Sequence, residues 1–167
     1  MKKLLIAALA AASFVMVPAL GSEAHAFPPI RDNGMISKLQ KERQDEANKA
    51  LVVNFWNEVF NKHNASIIDT AVGDVYTQHS PGFADGKEAF RTAIIGFLKE
   101  FPESTAEIKR VAADGDLVFI HNHIKMNESD RGQSAVDIFR VENGKIVEHW
   151  DIIQDVPEKA ENNNTMF

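Results

Sequence analysis

Cysteine is absent from all 167 residues. That excludes disulfides, lipid attachment at a lipobox, thiol nucleophiles and thiolate metal ligands, so the fold must stand on packing. A P-loop, a GxGxxG fingerprint, a nucleophile elbow and internal repeats are also missing, and no HExxH-type pair supports a metal. No cofactor and no metal are therefore expected. Basic charge is scarce, with Lys+Arg 18 against Asp+Glu 24 and a net charge of −6. Such a balance argues against nucleic acid and anionic membranes as partners. Long apolar runs are lacking everywhere except at the amino terminus.

There, Lys2 and Lys3 precede an alanine-rich apolar stretch from Leu4 to Leu20, broken by Ser13 and Pro18. Ala24-His25-Ala26 fits a small-x-small cleavage site. The segment 1–26 reads as a secretory signal peptide, cut after Ala26, which implies export to the periplasm or beyond. An uncleaved anchor fits less well, because the run is short for a spanning helix and contains a proline. No membrane association is expected after cleavage. Removing Lys2, Lys3 and Glu23 takes the net charge from −6 to −7. The remaining 141 residues suit one domain with a real core.

The rest of the chain divides by period. Residues 27–46 read as a leader and the charged start of a first helix, which runs from about Ile36 to Asn61. Leu51, Val52, Phe55, Trp56, Val59 and Phe60 recur on one of its faces. Ile67, Ile68 and Ala71 suggest a short second helix, and Val75 to His79 a short extended piece. After Asp85-Gly86 a further helix carries Ala89, Phe90, Ala93, Ile94, Phe97 and Leu98 on one side, until Pro102 stops it. The period then becomes two. Ala106–Ala113, Asp116–Met126, Gln133–Glu142 and Lys145–Val156 read as four strands joined by short turns, an antiparallel meander. Helices first and strands after imply an α+β fold with helices on one face of a curved sheet. The domain spans 47–157, and 158–167 is a polar tail.

The segment VDIFRVENGKIVEHWD, Val136 to Asp151, carries the most information. Asn143-Gly144 between two β-rich runs is a strong hairpin signal, since both turn residues need φ > 0. Asp137 sits in a strand otherwise apolar, and a buried carboxylate is costly unless paired. It is therefore either solvated on an outer face or kept for chemistry. Alternation puts Phe119, His121, His123 and Lys125 on one face of their strand and Val118, Ile120, Asn122 and Ile124 on the other. A two-residue turn, the reading adopted, sets Asp137 opposite Trp150, with Glu148 on the same face and His149 and Asp151 pointing away. A three-residue loop with a bulge would reverse this. His121 and His123, with Asp137 on a neighbouring strand, make an acid–base constellation, or a scattered polar outer face. Tyr76 and His79, in YTQHSPG, fall where a pocket mouth would lie.

The order of helices and meander, with YTQHSPG, DGKEAF, VAADGDLVFIHNH, the hairpin and the ending NNNTMF, resembles the SnoaL-like proteins of the nuclear-transport-factor-2-like superfamily, and among them bacterial proteins labelled SnoaL-like aldol-condensation enzymes. The resemblance covers about Ala47 to Phe167. It implies a cone-shaped α+β fold, in which N-terminal helices pack on a strongly curved antiparallel sheet that encloses a pocket. It further implies Asp137 as general base and His123 as its histidine partner. Trp56, Tyr76, His79, His121, Phe139, Glu148 and Trp150 are then the expected pocket residues. The implied partner is a small apolar or carbonyl-containing molecule, and a homodimer is expected because relatives pair through the sheet. SnoaL cyclases act on large polyketides in the cytoplasm, which the signal peptide sets apart from this chain.

Two functions follow. One is a cyclase, isomerase or hydrolase using an Asp–His pair for proton abstraction next to a carbonyl. The other is a non-catalytic secreted module of the same fold that binds a small ligand or dimerises.

Overall fold

A computed structural model describes residues 34–167. The signal peptide expected at 1–26, and the leader up to residue 33, lie outside the described residues. The elements run α1 (Met35–Trp56), a π turn (Asn57–Asn61), α2 (Ile67–Ala71), β1 (Val72–Gln78), α3 (Lys87–Glu100), β2 (Thr105–Asp114), β3 (Leu117–Lys125), β4 (Gln133–Glu142) and β5 (Lys145–Asp155). No helix among these is long and apolar enough to cross a membrane.

The long first helix forms as its spacing predicts. Val52, Phe55, Trp56 and Val59 recur at three- and four-residue intervals, and all four are buried. Its charged amino-terminal half does not wave free. Lys41 pairs with Asp114 at 2.8 Å, Asp45 accepts from the Gly115 N–H at 2.9 Å, and the buried Asn48 donates to the Gly115 carbonyl at 2.8 Å. Three side chains one turn apart thus hold the β2–β3 turn. The helix then widens into the π turn, and Asn61 closes a two-way bond with the Ala106 backbone at 2.9 and 3.1 Å.

The sheet order is β1-β5-β4-β3-β2. Strands β2 to β5 are the expected antiparallel meander, and the helices cover one face, so the fold is α+β as expected. The short extended piece becomes a full fifth strand: β1 starts at Val72 and pairs parallel with β5, joining Gln78 to His149 in register. The core lies between the sheet's inner face and the helices, centred on Phe55, Val59, Ile68, Val118, Ile120 and Phe139.

The β4–β5 hairpin fixes the site. Asn143 (φ 51°) and Gly144 (φ 71°) form the two-residue turn, with Glu142 opposite Lys145 and Val141 opposite Ile146. One pair further on the register slips: Arg140 faces Glu148, leaving Val147 as an extra residue on β5. This is a β-bulge, and beyond it every β5 side chain has changed face. Gly132, at the start of β4, is held by contact as well as by φ (78°). A Cβ there would lie 2.2 Å from the Ile124 carbonyl oxygen.

Candidate active site

Residues directly opposed across an antiparallel ladder share a face. Asp137 is flanked by Ile120 on β3 and by Asp151 on β5, while Phe139 is flanked by Val118 and His149. The inner face therefore collects Asn122, Asp137, His149 and Asp151. His121 faces Val136, His123 faces Ser134, and Trp150 faces Ile138, all on the outer face.

These pairings correct the expected register. Asp137 lies opposite Asp151, not Trp150, because the Val147 bulge adds one residue beyond a turn that is itself two residues long. Glu148 and Trp150 leave the inner face, and His149 and Asp151 enter it. The partner of Asp137 is His149, with Oδ1 to Nε2 at 3.0 Å. His123 is on the far side of the sheet. It donates through Nε2 to the Arg131 carbonyl at 2.8 Å and stacks on Phe167 at 4.2 Å. His121 likewise meets Ser134 and Arg110 and stacks on Phe167. His79 stacks flat on Trp150 at 4.7 Å and bonds Glu148 at 2.8 Å, outside the cavity. Of the expected pocket residues, Trp56, Tyr76 and Phe139 line the cavity, and so does the expected base Asp137.

That cavity, about 230 Å³, has aromatic walls that include Trp56, Phe60, Phe83, Phe90 and Phe97. Its polar groups gather on the sheet side: Tyr76, Gln78, Asp137, His149 and Asp151, with Gln133, which donates to Asp155 at 2.8 Å. Asp137 is 4 % exposed and His149 8 %. A small apolar chamber with a few convergent polar groups is the usual form of a small-molecule site.

The hydrogen bonds fix how many protons the site holds. The Ser80 N–H donates to Gln78 Oε1 at 3.0 Å, so this atom is an acceptor. His149 Nδ1 lies 3.0 Å from the same oxygen and must carry a proton to donate there. The other ring nitrogen, Nε2, faces a carboxylate oxygen that also accepts when ionised. One proton must lie between them, as Asp⁻···H–His⁺ or as Asp–H···His. In both forms the pair is neutral overall. Asn122, fully buried, donates to the second oxygen, Oδ2, at 2.6 Å. Gln78 uses its NH₂ to donate to the Tyr76 hydroxyl at 3.3 Å. Burial pushes the Tyr76 phenol well above its ordinary value, and the nearby Asp137 charge adds to this. It therefore stays protonated, with its own O–H free to donate into the cavity. On the outer face, the bond from His79 and then that from Arg140 hold the Glu148 carboxyl below its ordinary value.

Asp137, His149 and Asp151 offer one ligand atom each within 4.8 Å of one another, the described set that could hold a metal ion. The 3.0 Å bond between Oδ1 and Nε2, and the Asn122 bond on Oδ2, commit the first two to sharing a proton.

His149, Asp151, Gln78 and Asn122 are the functional candidates that the expected register missed. A signal for them existed. The unbulged register sets Arg140 opposite Val147 and Phe139 opposite Glu148. The bulged one sets Arg140 opposite Glu148, an ion pair at 2.5 Å, and Phe139 against the His149 ring at 4.8 Å. Cross-strand pair chemistry favours the second.

No curated protein matches the chain significantly in sequence. Among solved structures, a candidate polyketide cyclase from Bacillus cereus is 23% identical, with 64% of this chain and 74% of that one covered and a TM-score of 0.56. An LEH-like epoxide hydrolase from M. tuberculosis is 20% identical over 66% of this chain and 84% of its own, at a TM-score of 0.54. A candidate ketosteroid isomerase from Kribbella flavida is 13% identical over 74% and 90%, at 0.58. At such identities the likeness establishes the fold, which hosts several chemistries. Residues 50–161 match the family model for SnoaL-like polyketide cyclase, and the chain belongs to that family.

Proposed function

We propose that the protein is an enzyme that moves a proton next to a carbonyl in a small apolar molecule, with Asp137 and His149 as the acid–base pair. The observation that carries this reading is a buried carboxylate and imidazole, 3.0 Å apart, opening into an aromatic-walled cavity. In the ion-pair form, Asp137 takes the proton from the carbon beside the carbonyl, and the C–H electron pair passes into the enolate. Once Asp137 is protonated its hold on His149 Nε2–H is released, and that N–H and the Tyr76 O–H are the donors for the enolate oxygen. Return of the proton to a different carbon gives an isomer, and attack of the enolate on a second carbonyl gives ring closure. General acid–base assistance of this kind is worth about 10²–10⁴-fold.

The test is exchange of α-protons into deuterated water across a panel of small ketones and esters, followed by NMR. Exchange that falls with Asp137→Asn and with His149→Gln supports the reading. Exchange that neither substitution slows, or none at all across the panel, leaves a ligand-binding module of the same fold.

Two further properties belong to the same proposal. Export is supported by Lys2, Lys3, the Leu4–Leu20 stretch and Ala24-His25-Ala26, and amino-terminal sequencing of the secreted fraction tests it. Pairing of two copies is supported by the outer sheet face, where Val136 and the 64%-exposed Ile152 sit side by side. Light scattering at several concentrations tests that.

A further inference from the structure

Asp151 stands apart from every other polar group on the cavity's sheet side. Asp137 is bonded by Asn122 and His149, Gln78 by Ser80 and His149, and Tyr76 by Gln78. The Asp151 carboxylate lines the same cavity within 4.8 Å of the Asp137 and His149 ligand atoms. No side-chain hydrogen bond or ion pair engages it among the described residues.

The charge balance is therefore incomplete. One proton shared between Asp137 and His149 leaves that pair neutral, so Asp151 gives the sheet side of the cavity a net negative charge. Among the described residues no lysine or arginine lines the cavity to compensate it. Asp151 is half-buried, and a carboxylate lining apolar walls gains from a counter-charge beyond what solvent supplies. The walls around it are suited to one kind of counter-charge. Trp56 and Phe60 stand with ring centroids 4.3 Å apart, Phe60 and Phe97 6.2 Å apart at 75°, and Tyr76 and Phe90 5.0 Å apart. Aromatic faces attract organic cations, most strongly where water is excluded.

We propose that the cavity takes a small organic ammonium ion, with Asp151 as its counter-ion and the aromatic walls around its apolar body. A volume of about 230 Å³ limits that body to a single ring with a short chain. Carboxylates and phosphates are disfavoured by the same charge that attracts the cation. The inference rests on the cavity described above and names the class of molecule that the Asp137–His149 pair would meet. It does not rest on turnover.

The test compares three probes of one shape, benzylammonium, benzyl alcohol and benzoate, by isothermal titration calorimetry on the intact exported protein. Quenching of Trp56 fluorescence gives a second readout. Benzylammonium is expected to bind about tenfold or more tighter than benzyl alcohol, the scale of one desolvated cation–π contact, and benzoate weakest of all. Asp151→Asn is expected to abolish the preference for the ammonium over the alcohol, and Asp151→Glu to keep it. Equal binding of alcohol and ammonium, tighter binding of benzoate, no effect of Asp151→Asn, or no binding of any probe at millimolar concentration would each overturn the proposal. The two readings fail separately. Loss of ammonium preference sinks this one alone, and absence of proton exchange sinks the acid–base reading alone.

Discussion

The inner and outer faces of the sheet both carry histidines with polar partners, yet the two sets are built differently. On the inner face, His149 uses both ring nitrogens, on Asp137 and on Gln78, and Asp137 uses both oxygens. On the outer face, His121, His123 and His79 meet serine, arginine, a carbonyl and glutamate at the edge of solvent. Burial makes the difference. A polar group sealed from water is costly for every bond left unmade, so the inner network is nearly closed. Water completes the outer bonds, so those histidines tolerate change. Identity of residue type therefore says little here, and face says most.

The largest effect expected is on packing. Phe139 is buried on the inner face, with ring centroids 6.1 Å from Phe55 and Trp56 and 4.8 Å from His149. Phe139→Ala should cost about 3–5 kcal/mol in urea unfolding. Ile152→Ala, at an outer position 64% exposed in the single chain, should change stability by no more than about 0.5 kcal/mol when measured at concentrations too dilute for pairing. Comparable losses at the two positions would break the contrast between the faces.

Next comes the chemistry. Asp137→Asn should slow α-proton exchange about 100-fold or more, the lower range for removing a general base. His123→Gln should leave the rate unchanged, because His123 lies on the far side of the sheet against Phe167. A loss at His123 equal to that at Asp137 would restore His123 as the histidine partner first expected.

A smaller loss is expected at Gln78, which holds the Nδ1 proton of His149 and orients Tyr76. Gln78→Leu removes one hydrogen bond from each, worth about 1 kcal/mol, or about fivefold in exchange rate. The accompanying readout is the nitrogen-15 shifts of the His149 ring, which should lose the Nδ1–H signature. Gln78→Glu keeps an acceptor and should restore that signature. An unchanged tautomer in Gln78→Leu would end the proton-counting argument.

What could be read from the sequence follows the range of the forces involved. The first helix, the Pro102 stop, the Gln133–Glu142 strand and the Asn143-Gly144 turn rest on local period and turn chemistry, and they appear where expected. The parallel seat of β1 beside β5 could not be read. The chain between them is long and holds α3 and strands β2 to β4, and nothing local says which edge the strand joins. Asp137 was legible as an anomaly, an ill-placed carboxylate that proves to be buried. Its partner is legible only through cross-strand pair chemistry, because one extra residue, Val147, inverts everything beyond it. Alternation groups His123 with His121, and the resemblance pairs it with Asp137, but strand parity on β3 sends both histidines outward. The pairing of β3 with β4 depends on the loop Asn127 to Gly132, whose backbone is organised by Asp130 and a glycine with φ of 78°. No alternation rule reaches across such a loop.

The smallest effect expected tests the outer face itself. Glu148 is held by His79 and by Arg140, whose Nε lies 2.5 Å from it, and its carboxyl sits below the ordinary value of 4.5. A carboxyl lower in the folded than in the unfolded state stabilises the fold at pH above the unfolded value. That contribution disappears as the pH falls through the folded one. Glu148→Gln should therefore cost about 1 kcal/mol near neutral pH, the upper range for a partly exposed ion pair. The gap from the parent protein should close as the pH falls below 4.5 and through the folded value. High salt should narrow it too, since solvent reaches this face. A gap indifferent to salt would mean that Glu148 is sealed as tightly as Asp137. The division between a closed inner network and an open outer one would then fail.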